Sequence, residues 1–102
     1  MNQVGANSNE KLVAFIIKYY SHADNSVDVS KGVMWKTLFN SDNAYNVPNI
    51  SITGHVCRTN LASNTAFRGS GGAQAIIVIE NIMDRLAVKL DMDISEVCLV
   101  AK

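Results

Sequence analysis

Apolar residues follow two strand-like patterns in the first part of this chain. Residues 11–20 are almost continuously apolar and rich in residues that favour strands, so they predict a short strand covered on both faces. Residues 50–58 alternate between apolar and polar positions, which predicts a half-buried strand. Gly54 within that strand predicts a bulge or bend. Residues 21–28, between the strands, are polar and predict a turn region.

Helical spacing marks the remaining elements. Ser30 is a predicted N-cap for a helix that ends near Asn40. Asp93 and Glu96 resemble the capping box of a last short helix. The order strand, helix, strand, Gly-rich loop, long helix and short helix predicts an α+β domain. The long helix is predicted from apolar residues that recur every three or four positions, at Ala75, Ile79, Ile82, Met83, Leu86 and Leu90.

Composition limits the chain to one small domain and excludes several classes of partner. Its 102 residues have a hydrophobic fraction of 48% and a formal net charge of zero, which does not favour nucleic acid or an acidic membrane surface. No apolar run is long enough to span a bilayer. Cys57 and Cys98 match neither a disulfide framework nor a metal site, and reduced thiols of a cytosolic protein are the expectation.

Residues 60–72 form the most unusual segment of the chain. Arg68 is flanked by small residues, and Gly69, Gly71 and Gly72 follow it directly before the predicted long helix. Such a loop can bring backbone N–H groups up to an anion at a helix N-terminus. A plain turn with glycine in the left-handed conformation has the same spacing, so that reading stays open.

A second unusual string, DNAYNVPNI over residues 42–50, precedes the string CRTNLASNTAFRGSGG. In this order, the two resemble the molybdenum hydroxylases, the family of xanthine dehydrogenase and aldehyde oxidase. The resemblance covers residues 11–97 and implies a partial molybdopterin-binding domain, with a polar start at 1–10 and a divergent tail at 98–102. It implies a molybdenum–molybdopterin cofactor, whereas the iron–sulfur and FAD groups of the family would belong to segments absent here.

The resemblance also implies a reaction and a setting. Members of the family hydroxylate small aldehydes or N-heterocycles with oxygen from water, usually as homodimers in the cytoplasm or in peroxisomes. The glutamate that acts as their general base matches no Glu of this chain, so no catalytic residue is predicted. We therefore expect the isolated chain to be inactive.

Four positions of this chain correspond to the family's site. Arg68 would lie against the molybdenum ligands through its backbone N–H, with Gly69 beside it. Ser70 stands where the family has an aromatic residue that stacks on a planar substrate, and Lys36 stands where xanthine dehydrogenases have an arginine. Serine has no π-face, and lysine lacks the planar fork of arginine, so the substrate pocket is predicted to differ from that of a purine hydroxylase.

Two further hypotheses belong to other classes. The chain could be a non-catalytic remnant or interaction module that keeps part of the fold without the cofactor. It could also be a small anion-binding domain, a hypothesis that rests on the Gly-rich loop alone. An adjoining reading frame that encodes the catalytic glutamate and the iron–sulfur cysteines would favour an enzyme over a remnant.

Overall fold

A three-stranded mixed sheet with helices on one face forms the framework. The computed structural model describes residues 2–7 and 11–101, and its central strand β2 pairs antiparallel with β1 and parallel with β3. Because parallel strands need a crossover, α1 connects β2 to β3. The predicted α+β class is confirmed. The elements are β1 (Asn2–Ala6), β2 (Leu12–Asp24), α1 (Ser30–Phe39), β3 (Asn49–Arg58), α2 (Gly72–Leu90) and α3 (Ile94–Val100).

Strand β2 is half-buried, so the prediction that it is covered on both faces is wrong. Phe15 and Ile17 are each only 1% exposed, whereas Ile16 is 41% and Tyr20 63% exposed. The buried side chains pack with residues of α2 on one face of the sheet. On the opposite face, Tyr20 stacks on His55 of β3, with ring centroids 5.1 Å apart. The continuous apolar run therefore belongs to a strand with one buried face and one exposed face.

The hydrophobic core lies between the sheet and α2. The predicted stripe of α2 is confirmed at Ala75, Ile79, Ile82 and Met83, all of which are buried. Helix α3 adds Val97 to this core. Burial of apolar area is the main stabilising term for such a layer. The buried members of the core cluster are Leu12, Phe15, Ile17, Tyr45, Ile79, Ile82, Met83, Ala87, Val97 and Ala101.

The boundaries of several elements differ from the sequence expectation. Strand β1 lies in the predicted polar start and escaped prediction because only Val4 among its five residues is even partly buried. Strand β2 extends into the predicted turn region as far as Asp24. Ser30 is the first residue of α1 and not its cap; Val29 occupies the cap position without a side-chain hydrogen bond.

Gly54 produces no bulge, which corrects the predicted bend. The register of β2 and β3 is continuous from the Ala14–Asn49 pair to the His22–Cys57 pair. A Cβ atom at Gly54 would instead lie 2.4 Å from Sδ of Met34 on α1. Glycine is therefore needed because the helix packs closely onto the strand at this point.

Candidate functional site

Residues 59–71, which we call the glycine loop, connect β3 to α2. Gly69 and Gly71 have φ angles of +81° and +85°, in the left-handed region that glycine adopts without steric cost. The N–H of Ser70 donates to the carbonyl of Phe67 at 3.0 Å and closes a tight turn around Arg68 and Gly69, which we call the glycine turn. The loop thus ends in a compact turn directly before the first residue of α2.

Gly71 anchors the end of this turn against α1. A Cβ atom there would lie 2.5 Å from the carbonyl oxygen of Val33 and 3.1 Å from Cβ of Lys36. The hydroxyl of Thr37 donates to the carbonyl of Gly71 at 3.2 Å, and the N–H of Gly71 donates to the side-chain oxygen of Gln74 at 2.6 Å. These contacts explain why glycine is required at this position.

The structure brings the four predicted site residues to one region but exposes them unequally. Arg68, Gly69 and Lys36 are exposed, and the contact of Gly71 with α1 places Lys36 beside the turn. Ser70, in contrast, is only 9% exposed. The site assignments of these residues stay predictions.

The turn also leaves donors free. In the part of the chain that the structure describes, no hydrogen bond uses the backbone N–H of Arg68 or Gly69. A Cβ atom at Gly69 would meet nothing within 4 Å, so the backbone there borders open space. Two free N–H donors at an exposed turn suit oxygen or sulfur acceptors of a bound group.

The start of the glycine loop is held by the end of β2. Asp24 is fully buried, and its carboxylate accepts hydrogen bonds from the Thr59 hydroxyl at 3.0 Å and from the backbone N–H of Asn64 at 3.1 Å. The side-chain amide of Asn64 also donates to it. Sequence reasoning missed Asp24 because its partners lie 35 to 40 positions away.

The second motif is tied to α2 by a partly buried cluster of hydrogen bonds. The Tyr45 hydroxyl donates to the Glu80 carboxylate at 2.9 Å, and the Asn43 side-chain amide donates to the same oxygen at 2.8 Å. The Cys98 thiol lies 3.4 Å from the Tyr45 hydroxyl. Burial, aided by the hydrogen bonds to Cys98 and Glu80, raises the pKa of Tyr45 well above its ordinary value. Tyr45 therefore stays a neutral donor.

Three surface grooves lie away from the glycine turn. One of about 510 Å³ runs between β1 and α2 near Asn2 and Arg85, and one of about 410 Å³ lies between α1 and β3 near Trp35 and His55. A third, of about 230 Å³, adjoins Asn25. Lys36, Arg68, Gly69 and Ser70 line none of these three grooves.

The described residues contain neither a metal-binding cluster nor a membrane-spanning helix. Across 2–7 and 11–101, no three side chains of His, Cys, Asp or Glu are grouped so that they could hold a metal ion. Over the same residues, no helix combines the length and apolar character that crossing a membrane requires.

Comparison with known families identifies the domain to which this chain belongs. The sequence model of the molybdopterin cofactor-binding domain matches residues 2–100. This chain belongs to that family. The resemblance to the molybdenum hydroxylases is thus confirmed, and with it a fold that serves a molybdopterin cofactor.

Individual relatives of this molybdopterin cofactor-binding domain are much longer. This chain is 47% identical over 95 residues to xanthine dehydrogenase/oxidase of Gallus gallus. It is 43% identical over 91 residues to xanthine dehydrogenase of Dictyostelium discoideum. These alignments cover 93% and 89% of this chain but 7% of each relative. The aldehyde oxidoreductase of Desulfovibrio gigas matches its structure with a TM-score of 0.83 at 28% identity, over 94% of this chain and 11% of that one.

Proposed function

We propose that this chain forms one wall of the cofactor site in an oxidoreductase of the xanthine dehydrogenase and aldehyde oxidase type. The observation that carries the proposal is the glycine turn, where the N–H groups of Arg68 and Gly69 lack partners within the described residues and border open space. These donors fit the oxygen and sulfur ligands of a molybdenum–molybdopterin group.

Each residue of the turn has a distinct task in this proposal. The N–H groups of Arg68 and Gly69 bind and orient the cofactor, and Gly71 fixes the turn on α1. When bound, the cofactor supplies the two-electron oxidation and the incorporation of an oxygen atom derived from water. The protein contributes placement and electrostatics, and backbone donors are suited to this because they need no reorganisation during the reaction.

The substrate in this proposal is a small aldehyde or N-heterocycle. Lys36 supplies one positive charge beside the turn, and Ser70 removes the aromatic surface that the family resemblance implies at this position. A lysine neutralises developing negative charge but cannot form the paired hydrogen bonds of an arginine. A substrate that depends on stacking and paired hydrogen bonds, such as a purine, is disfavoured relative to an aldehyde.

A chimeric enzyme tests the proposal directly. Residues 2–100 replace the matched segment of the Gallus gallus xanthine dehydrogenase/oxidase, which is 47% identical, and molybdenum per protein chain is measured after purification. We expect molybdenum content close to that of the unmodified enzyme. A folded chimera without molybdenum would contradict the proposal and favour the non-catalytic remnant.

A pair of glycine variants of the chimera tests the role of the turn. Gly69→Ala introduces a side chain at a φ of +81° and disturbs the two free donors, so molybdenum content should fall. Gly32→Ala is the matched control, since a Cβ atom at that helical position meets nothing within 4 Å. An equal molybdenum content in both variants would show that the turn does not bind the cofactor.

A further inference from the structure

The end of β2 carries a buried carboxylate, and both of its oxygens have hydrogen-bond donors. Asp24 is 0% exposed, and both of its carboxylate oxygens accept hydrogen bonds from the glycine loop. Oδ1 accepts from the hydroxyl of Thr59, and Oδ2 accepts from both the backbone and the side-chain amide of Asn64. A buried carboxylate is costly unless such donors compensate it. The loop supplies those donors.

The backbone at Asp24 is shaped to present this carboxylate. The register of β2 and β3 shifts between His22 and Asp24, and Asp24 itself has a φ of +61°. Aspartate is one of the few residues other than glycine that enters the left-handed region readily. The strand therefore ends in a turn that directs the side chain of Asp24 beneath the loop.

The neighbours of Asp24 reinforce the same contact. The N–H of Asn25 donates to the carbonyl of Leu61 at 3.2 Å, and the N–H of Ser26 donates to the Ser63 hydroxyl at 3.2 Å. In the described part of the chain, every hydrogen bond from residues 59–64 to the rest of the fold ends on residues 24–26. The glycine loop is thus held before its turn by residues 24–26, and from the turn onward by α1 and the start of α2 through Gly69 and Gly71.

We propose that Asp24 is a positioning residue: its buried carboxylate clamps residues 59–64 and thereby fixes where the turn of Arg68 and Gly69 begins. The turn starts three residues after Asn64, and residues 65 and 66 make no hydrogen bond of their own in the described structure. The clamp is a property of this chain. Its consequence for the cofactor rests on the function proposed above.

Amide hydrogen exchange, measured by NMR on the complete 102-residue chain, tests the clamp. Asp24→Asn keeps the size and tolerates the positive φ, but an amide has only one acceptor oxygen, so it cannot accept from both Thr59 and Asn64 as the carboxylate does. We expect the Asn64 amide to exchange about tenfold faster or more, while amides of the β1–β2 ladder keep their rates. Asp28→Asn is the matched control, because Asp28 is exposed and also has a positive φ of +36°.

A swapped pair separates the clamp from general stability. In the double variant Asp24→Asn with Asn64→Asp, donor and acceptor side chains exchange places, and slow exchange at position 64 should return. Unchanged exchange in Asp24→Asn would overturn the clamp. Loss of protection throughout the sheet, without rescue by the swap, would also overturn it, because Asp24 would then act only on global stability.

The effect on the cofactor is read separately in the chimera. Asp24→Asn should lower molybdenum content several-fold, and the swapped pair should restore it. Fast exchange at Asn64 with unchanged molybdenum content would overturn the positioning role. If the unmodified chimera lacks molybdenum, the proposed function fails, yet the exchange rates still decide whether the clamp exists.

Discussion

The hydroxyl of Tyr45 lies 2.9 Å from Oε1 and 3.0 Å from Oε2 of Glu80, so one phenol spans both oxygens of a carboxylate on α2. This contact ties the segment after α1 to the helix that begins at the glycine turn. Asn43 donates to the same carboxylate, which leaves Glu80 with two neutral donors. Within the DNAYN string, Asn43 and Tyr45 thus bind α2 through Glu80.

Removal of this hydroxyl should destabilise the fold. Tyr45→Phe deletes the donor to an ionised carboxylate, and we expect the free energy of unfolding to fall by about 1.5–3 kcal/mol. Urea unfolding followed by circular dichroism measures the change. Tyr20→Phe is the control, because Tyr20 is 63% exposed and keeps its stacking on His55. Equal loss of stability in the two variants would contradict the role of the contact.

The raised pKa of Tyr45 predicts a loss of stability at high pH. Burial, then the hydrogen bonds to Cys98 and Glu80, favour the neutral phenol in the folded state. A group whose pKa is raised on folding contributes its stability below its unfolded pKa of about 10 and loses it as the pH rises above that value. Burial likewise raises the pKa of Tyr19, although its hydrogen bond with Ser41 opposes the shift.

Unfolding free energies at about pH 8 and about pH 11 test this linkage. The unmodified chain should lose more stability between the two values than Tyr45→Phe does, since the variant has no phenol to ionise at this position. Parallel losses in the two proteins would show that Tyr45 does not contribute. Any pH dependence of stability that remains in Tyr45→Phe is assigned to other groups, including Tyr19.

The two glycines of the turn should respond differently to alanine. Both have positive φ, which costs about 1–2 kcal/mol for a residue with a Cβ atom. At Gly71 that atom would also lie 2.5 Å from the Val33 carbonyl, whereas at Gly69 it meets open space. We expect Gly71→Ala to be more destabilising than Gly69→Ala, by about 1 kcal/mol or more, in urea unfolding. Equal losses of unfolding free energy in the two variants would contradict this, because α1 would then move away from the Gly71→Ala side chain without cost.

Exposed aromatic surface on α1 should bind a hydrophobic dye. Trp35 and Phe39 are 62% and 75% exposed and stack on one another, next to the groove of about 410 Å³ between α1 and β3. Replacement of both by serine should strongly reduce 8-anilinonaphthalene-1-sulfonate fluorescence, because large apolar patches bind such probes. Val88→Ser, at a position that is 82% exposed on α2, is the control. Undiminished dye binding in the double variant would place the apolar surface elsewhere.

Sequence patterns predicted the elements whose periodicity survives in the fold. The stripe from Ala75 to Met83 is confirmed because one face of α2 packs on the sheet. In β3, exposed and partly buried positions alternate from Ser51 to Val56, whereas Ile50 is 40% exposed, so the predicted alternation holds only in part. Strand β1 has no such pattern, since its stability comes from backbone pairing with β2. The open face of β2 was not predictable from its apolar side chains alone.

The contacts around the site were less accessible to sequence reasoning. Glycines before a helix predicted a turn, and Gly69 and Gly71 do have left-handed backbones. Asp24 and Glu80 resemble ordinary surface carboxylates in the sequence. Their partners lie 35 to 40 positions away, so only the folded chain brings them together. Long-range pairs of polar residues carry no local periodicity by which they could be recognised.

The last prediction concerns substrate preference in the chimeric enzyme. Lys36 keeps a positive charge beside the turn but lacks a bidentate fork, and Ser70 offers no surface for stacking. Loss of both contacts should lower kcat/KM for xanthine about a hundredfold relative to the unmodified Gallus gallus enzyme. Each contact would stabilise charge or orientation in the transition state. An aldehyde depends less on either contact, so we expect aldehydes to be oxidised in preference to xanthine.

Restoring the two side chains should recover xanthine turnover. Ser70→Phe combined with Lys36→Arg is expected to raise kcat/KM for xanthine more than for an aldehyde, with both rates normalised to molybdenum content. Because Ser70 is only 9% exposed, Ser70→Ala with unchanged Lys36 is measured in parallel as a control for disturbance of the packed loop. If the unmodified chimera oxidises xanthine as well as the double variant does, these two positions do not set specificity, and the preference must arise from segments of the parent enzyme.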